Sequence, residues 1–567
     1  MVKNKNIFLK RLILLAFSFF TINSFAQNNG LLQQIDLDDV HRINQLTDST
    51  TVYSNCSFTI RPISTIKSGV SSQNWIALNH VNFTTNYNDS LPMGYNNGTL
   101  LQASGWQSRY SLGISAQLGR VSIKFQPEFV FAQNKEQYVI PLSFNDGDFF
   151  SRYYFMNINV IDLPSRYGTQ KVQKFYPGQS SIKYNFNKFS VGFSTENLWW
   201  GPGIHNSLVL TNNAPGFVHF TAHTKEPLHT KIGTLEGQLV YGLLESSGIE
   251  PVENLRQQNV WPGLYVPKVS STQRTIAAYI FTLQPKWVKN LYIGFAHSYY
   301  FYNKNVDADP KLNYSWTASS QDEKVAKLGS IFARYAMPEE KAEAYFEVGR
   351  SNKVATPFNL LGDTIPLGYN AGFRKLFSTG KKSNYIEFST EITRLQLPDP
   401  RLIFNSQNPY SVPRATSWYT NARIRQGYTQ LGQSLGAGIG PGSNSQRLNI
   451  SWVNGFNKIG IHGERVVHNN DFYYYQYLSY TFGAGWGNRN WVDLTYGAHA
   501  QIQKGNWLFA GLFDFTSALN YQWVKLDGTY DGPSSLSDLR NFRASLSITY
   551  QLNKRFPFTK SASSTIQ

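Results

Sequence analysis

The fold is decided by the stretch Leu448–His468, which reads LNISWVNGFNKIGIHGERVVH. Its first half puts Leu448, Ile450 and Trp452 on one face and small polar residues on the other, which is the period of two of a β-strand. The second half repeats the alternation, and we predict a tight turn between the halves at Asn457-Lys458. The stretch therefore predicts a hairpin with one apolar and one polar face.

The same alternation recurs over most of the chain. Val492–Ile502 leads through Lys504-Gly505-Asn506 into Trp507–Phe515, and Phe542–Leu552 alternates for about 11 residues. A transmembrane β-strand needs roughly 9–11 residues, so these segments are long enough to cross a membrane. Further strands are predicted at residues 110–118, 121–131, 182–186, 189–193, 230–243, 274–283, 290–300, 327–336, 343–350 and 384–394.

The composition of the two strand faces separates a soluble β-sandwich from an outer-membrane barrel. Only 15% of the 567 residues are charged, against about 25% in a typical soluble protein, and 15% are aromatic. The polar face is mostly Ser, Thr, Asn, Gln and Gly, which suits a barrel lumen. We predict an all-β fold, a transmembrane antiparallel β-barrel of roughly 16–18 strands formed by residues 106–556. Long polar loops are expected near 133–178, 301–325, 351–383 and 396–446.

The N-terminus carries the features of an export signal. Lys3, Lys5, Lys10 and Arg11 precede an apolar run that is too short for a spanning helix of about 20 residues. We predict that residues 1–26 are a signal peptide cleaved near Ala26 and that the mature chain lies in the cell outer membrane. Residues 27–105 include a helix-compatible spacing at 31–46 and are predicted to form a short, partly helical periplasmic or plug segment, and residues 557–567 a C-terminal tail.

The positive net charge of the chain indicates binding partners that are negatively charged. The net charge is +17, and loss of the signal segment, which has four basic and no acidic residues, leaves +13. Export argues against nucleic acid, so an acidic extracellular glycan and the outer-membrane lipid are the expected partners. Cys56 is the only cysteine and has no partner for a disulfide or a cysteine-based metal site, and no cofactor is predicted.

Several patterns that could carry chemistry are weak. Glycines at every second position from Gly436 to Gly442 lack the Lys-Ser/Thr of a phosphate-binding loop and more often mark a bend or a close approach. His462 and His468 would lie about 20 Å apart on a strand, too far for one metal ion, and are predicted to face the lumen and pair with Asp493 or His499. There is no Gly-x-Ser-x-Gly elbow and no recognisable carboxylate pair of a glycosidase. The sequence thus predicts a protein without enzymatic activity.

The least generic stretches are Trp199–Gly216, with the sequence WWGPGIHNSLVLTNNAPG, and Ser57–Pro62, with the sequence SFTIRP. Together with Gly432-Gln433 and Gly440–Ser443 they resemble the Wzi family of capsule assembly proteins, in the form found in Bacteroidetes. The resemblance implies an outer-membrane β-barrel with an N-terminal helical portion that acts as a lectin-like surface protein and retains capsular or extracellular polysaccharide. It also implies capsule export machinery as a further partner.

The motif supplies candidate polysaccharide-binding residues. An indole ring can pack on the apolar face of a sugar ring, and Asn side chains offer both donors and acceptors to hydroxyl groups. The alternatives are an interfacial aromatic girdle for the two tryptophans and structural turns for the Gly-Pro-Gly and Asn-Asn-Ala-Pro segments. The candidates are Trp199, Trp200, His205, Asn206, Asn212, Asn213, Gln433 and Ser443.

We therefore expect a non-catalytic outer-membrane protein that binds, retains or helps to assemble polysaccharide at the cell surface. The main alternative is a porin-like channel for oligosaccharides, and the third is an outer-membrane enzyme that acts on glycan or lipid.

Overall fold

The computed structural model describes most of the chain after residue 33. The predicted signal peptide and almost all of the predicted C-terminal tail lie outside the described residues. The described ranges are 34–48, 55–63, 74–137, 147–252, 264–269, 273–308, 324–351, 367–381, 383–397, 416–477, 489–523 and 538–557.

Strands dominate these ranges, with a few short helices. The helices are α1 (Gln34–Thr47), α2 (Gly147–Tyr153), which continues as a π-helix over Tyr154–Ile158, α3 (Asn303–Ala308) and α4 (Asn470–Tyr477), and a 3₁₀ turn spans Tyr521–Trp523. The first strands are β1 (Ile60–Arg61), β2 (Trp75–Asn88), β3 (Gly105–Leu118), β4 (Val121–Phe125), β5 (Glu128–Ala132), β6 (Val172–Tyr176), β7 (Ser181–Phe186), β8 (Phe189–Ser194), β9 (Trp199–Trp200), β10 (His219–Thr224), β11 (Leu228–His229) and β12 (Gly233–Leu244). The others are β13 (Arg274–Pro285), β14 (Leu291–Tyr302), β15 (Ala326–Met337), β16 (Ala342–Ser351), β17 (Leu367–Ser378), β18 (Asn384–Arg394), β19 (Thr429–Gln430), β20 (Gln433–Ser434), β21 (Asn444–Asn454), β22 (Asn457–Val467), β23 (Val492–Lys504), β24 (Trp507–Leu519) and β25 (Leu539–Pro557).

The strands close into one antiparallel barrel. Strand β2 pairs with β3 on one side and with β25 on the other, which joins the two ends of the sheet. The pairs β4 and β5, β6 and β7, and β10 and β11 each continue one barrel strand, so the described residues form 18 strands. The predicted all-β barrel of 16–18 strands is confirmed. Among the described helices, none is long and apolar enough to cross a membrane.

The two faces of the barrel wall differ as the alternation predicts. Outward positions of neighbouring strands carry exposed large apolar side chains, whereas the intervening positions, such as Thr495 and Thr516, point inward and are buried. An exposed apolar surface of this extent matches the lipid-facing band of an outer-membrane barrel. Members of the band include Trp106, Tyr110, Phe129, Phe193, Phe281, Phe295, Phe346, Ile461, Tyr496, Phe513 and Phe542.

Three details of the predicted organisation are wrong. The barrel begins at β2, inside residues 27–105, the predicted periplasmic or plug segment. A register shift between Leu78 and His80 breaks the alternation of this strand. Two predicted loops contain barrel strands: 351–383 contains β17, in which Gly and Lys interrupt the apolar pattern, and 133–178 contains the short β6. The β21–β22 turn lies at Gly455-Phe456, where Gly455 takes a positive φ of 58°, and not at Asn457-Lys458.

The lengths of the connections orient the barrel. One end has tight turns, such as Gly119-Arg120 and Gly505-Asn506, and the other has the long connections. In outer-membrane barrels the short turns are periplasmic and the long loops extracellular. Helix α1 lies inside the lumen at the short-turn end, where Ile43 and Leu46 pack in one cluster with residues from the ends of β14, β15, β17 and β21.

Buried ion pairs attach α1 to the wall. Arg42 binds Glu343 of β16 at 2.9 Å, and Asp39 lies 2.5 Å from Arg374 of β17 and 3.2 Å from Lys458 of β22. Charges buried in a low-dielectric interior need partners of opposite sign, and this network supplies them. Salt bridges as well as apolar packing therefore hold α1 at the periplasmic end.

Candidate functional site

The two signature motifs meet inside the barrel. Strand β1, from the SFTIRP motif, pairs with β9, so that Ile60 faces Trp200 and Arg61 faces Trp199. The Arg61 guanidinium lies over the Trp199 ring, 4.6 Å from its centroid, and donates to the Gly203 carbonyl at 2.6 Å. The motifs thus form one structural unit although more than 130 residues separate them in the chain.

Two buried carboxylates of the barrel wall hold the loop that follows β9. Glu391 of β18 accepts the backbone N–H groups of Ile204, His205 and Asn206, with distances down to 2.7 Å. Glu347 of β16 accepts the Ser207 hydroxyl at 3.0 Å. The glycines fit this tight course, since a Cβ at Gly203 would collide with the Asn206 carbonyl. The motif Gly-Pro-Gly-Ile-His-Asn is therefore a structural anchor.

A third segment, residues 416–443, completes the filling of the lumen. The Tyr419 hydroxyl donates to the Leu208 carbonyl at 2.9 Å, and the Thr211 hydroxyl donates to the Gly436 carbonyl at 2.6 Å. A Cβ at Gly438 would lie 2.6 Å from the Asn213 side chain. The alternating glycines therefore mark a close approach between two plug segments, as expected for glycines of this spacing. We call residues 55–63, 196–216 and 416–443 together the plug.

The plug contains the two candidate tryptophans. Trp199 and Trp200 are 1% and 0% exposed, and the Trp200 indole donates to Gln238 of β12 at 2.9 Å. Trp200 packs in the main apolar cluster of the lumen. Neither ring offers a face to a polysaccharide, and neither lies in an interfacial girdle on the outer wall. Both interpretations of the pair are therefore wrong, because the burial of these rings stabilises the plug.

Four further candidates are also held within the plug. His205 and Asn206 bind Glu391 through their backbone, and the Asn206 carbonyl accepts from Asn370 of β17. The Asn212 carbonyl accepts the Gly98 N–H at 2.8 Å, and the Gln433 amide donates to the Gly98 carbonyl at 3.2 Å. These contacts join the plug to the wall and to the loop between β2 and β3.

A cavity of about 260 Å³ lies at the long-loop end, above the plug. Its lining combines aromatic rings with amide and hydroxyl groups, and it includes two of the eight candidates, Asn213 and Ser443. The other six do not line it. The aromatic part of the lining is Tyr95, Tyr153, Trp491, Tyr521 and Trp523, and the polar part includes Gln102, Gln137, Asn157, Asn469 and Gln522.

The carboxylate of Asp493 organises one wall of this cavity. It accepts the Trp491 indole N–H at 2.9 Å and lies 2.8 Å from the His468 imidazole. His468 in turn stacks on Trp491, with ring centroids 4.1 Å apart and planes 25° from parallel. Trp491 also meets Tyr521 and Trp523 edge to face. The rings are therefore held in fixed positions before any ligand binds.

The opposite walls are fixed as well. Asp162 accepts the Ser247 N–H at 2.7 Å and its hydroxyl at 2.6 Å. Asn469 donates to the Asn157 side chain at 2.5 Å, and its backbone N–H donates to the Ser443 hydroxyl at 3.0 Å. The loops that surround the cavity thus form one hydrogen-bonded rim.

Sequence reasoning missed the aromatic residues of the cavity. Trp491 and Trp523 lie beside strand ends and share no motif, and α2 and α4 meet through an aromatic cluster that includes Phe149, Tyr153, Phe472 and Trp523. The one available signal was the aromatic run Phe472–Tyr475, which lies between two predicted strands.

The predicted role of the lumen histidines is confirmed. His468 binds Asp493, and His462 lies 3.4 Å from His499 and 3.0 Å from Asp514. In the described ranges no group of three or more His, Cys, Asp or Glu side chains is placed to hold a metal ion.

The protein has the features of an outer-membrane β-barrel. It is a closed barrel of 18 strands with a lipid-facing aromatic band, a filled lumen and an aromatic cavity at its long-loop end. The family model described as "Capsule assembly protein Wzi" matches residues 92–507. Because this match covers most of the chain, the protein belongs to the Wzi family of capsule assembly proteins.

One solved structure has the same fold as this chain. The Escherichia coli protein Wzi, described as an outer membrane protein involved in group 1 capsule assembly and a carbohydrate-binding β-barrel, aligns with a TM-score of 0.57 and 11% identity over 92% of this chain and 98% of that one. Pseudomonas aeruginosa OccK5 and Acinetobacter baumannii OccAB2 align with TM-scores of 0.37 and 0.39, at 10% and 8% identity, over 86% of this chain and 100% of each of theirs. These two scores are too low to support an argument. A comparison with curated protein sequences finds no match.

Proposed function

We propose that this protein binds capsular or extracellular polysaccharide at the cell surface and retains it there or helps to assemble it. The observation that carries the proposal is the pre-formed cavity of aromatic and amide side chains at the extracellular end of a plugged Wzi-family barrel. Aromatic rings pack on the apolar faces of sugars, and amide groups pair with their hydroxyl groups. The related Escherichia coli protein, described as a carbohydrate-binding barrel, supports the same assignment.

The filled lumen favours binding over transport. The plug packs against the inner faces of β12–β15 in one apolar cluster, and α1 is attached across the periplasmic end. An oligosaccharide channel would need a continuous aqueous path through these contacts. We therefore expect reconstituted protein to give no stable single-channel conductance in planar bilayers.

The size of the cavity limits the piece of polymer that it holds. At about 260 Å³ it lies below the range of roughly 300–1,000 Å³ of ordinary small-molecule sites. We propose that it takes a chain end or a side branch, while the surrounding loops contact the rest of the polymer. Asn213 and Ser443 line the cavity but are themselves only 2% and 1% exposed, so the more accessible Trp491, Asn157 and Asn469 are the main candidate contacts.

We propose binding without catalysis. Both carboxylates that line the cavity already accept hydrogen bonds, Asp162 from Ser247 and Asp493 from Trp491. A glycosidase requires a pair of carboxyl groups that are available to the scissile bond. Incubation of purified protein with polysaccharide should therefore release no shorter product.

The proposal also covers how the protein reaches the outer membrane and the charge of the polymer that it binds. A signal peptide cleaved near Ala26 would deliver the mature chain, and capsule export machinery would supply its polymer. The net charge of +13 expected after cleavage favours an acidic polymer. Because salt at about 0.15 M shortens the range of exposed charges to roughly 8 Å, binding of an acidic polymer should weaken as salt rises, and binding of a neutral one should not.

Replacement of Trp491 tests the assignment of the cavity. Trp491→Ala removes the ring at the centre of the aromatic wall and should weaken binding of purified polysaccharide to the purified barrel. The matched control is Trp287→Ala, the same change at an exposed tryptophan of a periplasmic turn. Equal affinity of both variants and the wild type, at matched folding, would remove the cavity from the proposal.

A further inference from the structure

The periplasmic rim of the barrel carries an excess of positive charge. Almost every described short turn contributes a lysine or arginine, and exposed acidic groups occur mainly in the β15–β16 turn. The Glu226 carboxylate forms an ion pair with the Lys188 ammonium, 3.9 Å away. The exposed basic residues are Arg120, Lys231, Lys286, Lys289, Lys381 and Lys504.

Apolar side chains alternate with these cations at the rim. In the β13–β14 turn, Lys286 and Lys289 flank Trp287, which is 74% exposed, and Val288. Lys231 precedes Ile232, which is 52% exposed. Tryptophan at the level of lipid headgroups anchors proteins at a membrane interface. A soluble polyanion would be bound by the charges but gives no reason for exposed apolar groups between them.

A groove on the outer wall opens at the same rim. It has a volume of about 580 Å³ and is lined mainly by apolar side chains of β15–β18, including Met337, Phe373 and Phe377. Lys375 lies between the two phenylalanines on the lipid-facing side, and its ammonium reaches the turn, 3.3 Å from the Glu340 carboxylate. A lysine that extends along an apolar surface to a polar interface is typical of the edge of a bilayer.

We propose that this rim is a binding surface for anionic phospholipid of the periplasmic leaflet. Headgroup phosphates would lie on the rim cations, with Trp287 and Ile232 inserted between lipids and an acyl chain along the groove. Basic residues near an anionic bilayer contribute about 1 kcal/mol each, so a rim of this charge selects anionic over neutral lipid. The surface is far from the glycan cavity and does not depend on the proposed function.

Spin-labelled lipids measure this preference directly. The full-length folded protein is reconstituted in phosphatidylcholine vesicles with spin-labelled phosphatidylglycerol or phosphatidylcholine, and the fraction of motionally restricted label is compared. The wild type should restrict phosphatidylglycerol more strongly. Lys286→Gln/Lys289→Gln should lower the preference towards unity, by no more than about fivefold for each lysine removed, whereas Lys286→Arg/Lys289→Arg should keep it.

Two results would overturn the proposal. The first is an equal restriction of both lipids by the wild type at low salt, or a preference that stays unchanged in 1 M salt, where charges are screened beyond about 3 Å. This comparison needs no variant, so it holds even if a substitution impairs folding. The second is loss of binding to soluble polygalacturonate in Lys286→Gln/Lys289→Gln with an unchanged lipid preference, which would make the rim a site for an acidic polymer.

Discussion

Replacement of Glu343 tests whether buried charges hold α1 in the barrel. Glu343 is 0% exposed and accepts from Arg42 at 2.9 Å and Arg334 at 2.7 Å, with Arg374 3.3 Å away. Glu343→Gln keeps the shape of the side chain but removes the one carboxylate that these three guanidinium groups share. The change leaves positive charge uncompensated in the lumen.

The loss of stability expected for Glu343→Gln follows from the burial of its ion pairs. Loss of one partner of a buried ion pair costs about 3–5 kcal/mol, because the remaining charge stays desolvated. Glu340 provides a control three residues away. Its side chain is 72% exposed, and its pair with Lys375 faces outward, so Glu340→Gln should cost about 0–1 kcal/mol.

Urea unfolding of the purified barrel, followed by loss of the heat-modifiable band, measures both costs. Protease sensitivity of the N-terminal segment should rise in Glu343→Gln and stay unchanged in Glu340→Gln, because release of α1 precedes unfolding of the wall. If the two variants lose the same free energy of unfolding, or if α1 stays protected in both, the salt bridges do not hold α1 in the barrel.

Three further predictions concern the wall, the loops and the lumen. Ile461→Arg, on the lipid face in the middle of β22, should cost about 2–4 kcal/mol of barrel stability, whereas Ile502→Arg near the periplasmic turn should cost about 0–1 kcal/mol; equal losses in urea unfolding would contradict the placement of the membrane. Burial raises the pKa of Asp471 to about 6, above its value in the unfolded chain. The stability of the α4 loop should therefore be greatest below about pH 4 and fall as the pH rises through 6. Limited proteolysis across this range should show the change in the wild type and not in Asp471→Asn. Planar-bilayer recordings should show no stable conductance, and a steady channel would restore the porin interpretation.

The barrel could be predicted from the sequence because lipid imposes a strict requirement on outward side chains. Segments such as β23 and β25 have to present apolar residues at every second position, and this pattern is local. The strands that the same reasoning missed include β2 and β17. In β2 a register shift between Leu78 and His80 breaks the alternation, and in β17 Lys375 occupies an outward position. Both exceptions depend on neighbours that the sequence alone does not reveal.

The site was harder to predict because its parts are distant in the chain. The Trp199-Trp200 motif was recognisable, but a tryptophan pair suits a sugar platform, a membrane girdle or a core equally well, and only its pairing with Ile60-Arg61 shows that it is core. The cavity gathers Asn213, Ser443 and Trp491 from three separate segments. Their proximity depends on the closure of the barrel and on the plug.

Retention of polysaccharide by living cells tests the central claim most directly. Cell-bound and shed polysaccharide are measured in a deletion strain complemented with the wild type, Trp491→Ala or Trp287→Ala, at equal amounts of folded protein in the outer membrane. We predict normal synthesis in all strains, with polymer shifted to the medium for Trp491→Ala and retained on cells for Trp287→Ala. Full retention by cells that carry Trp491→Ala would contradict the assignment of the extracellular cavity as the glycan-binding site.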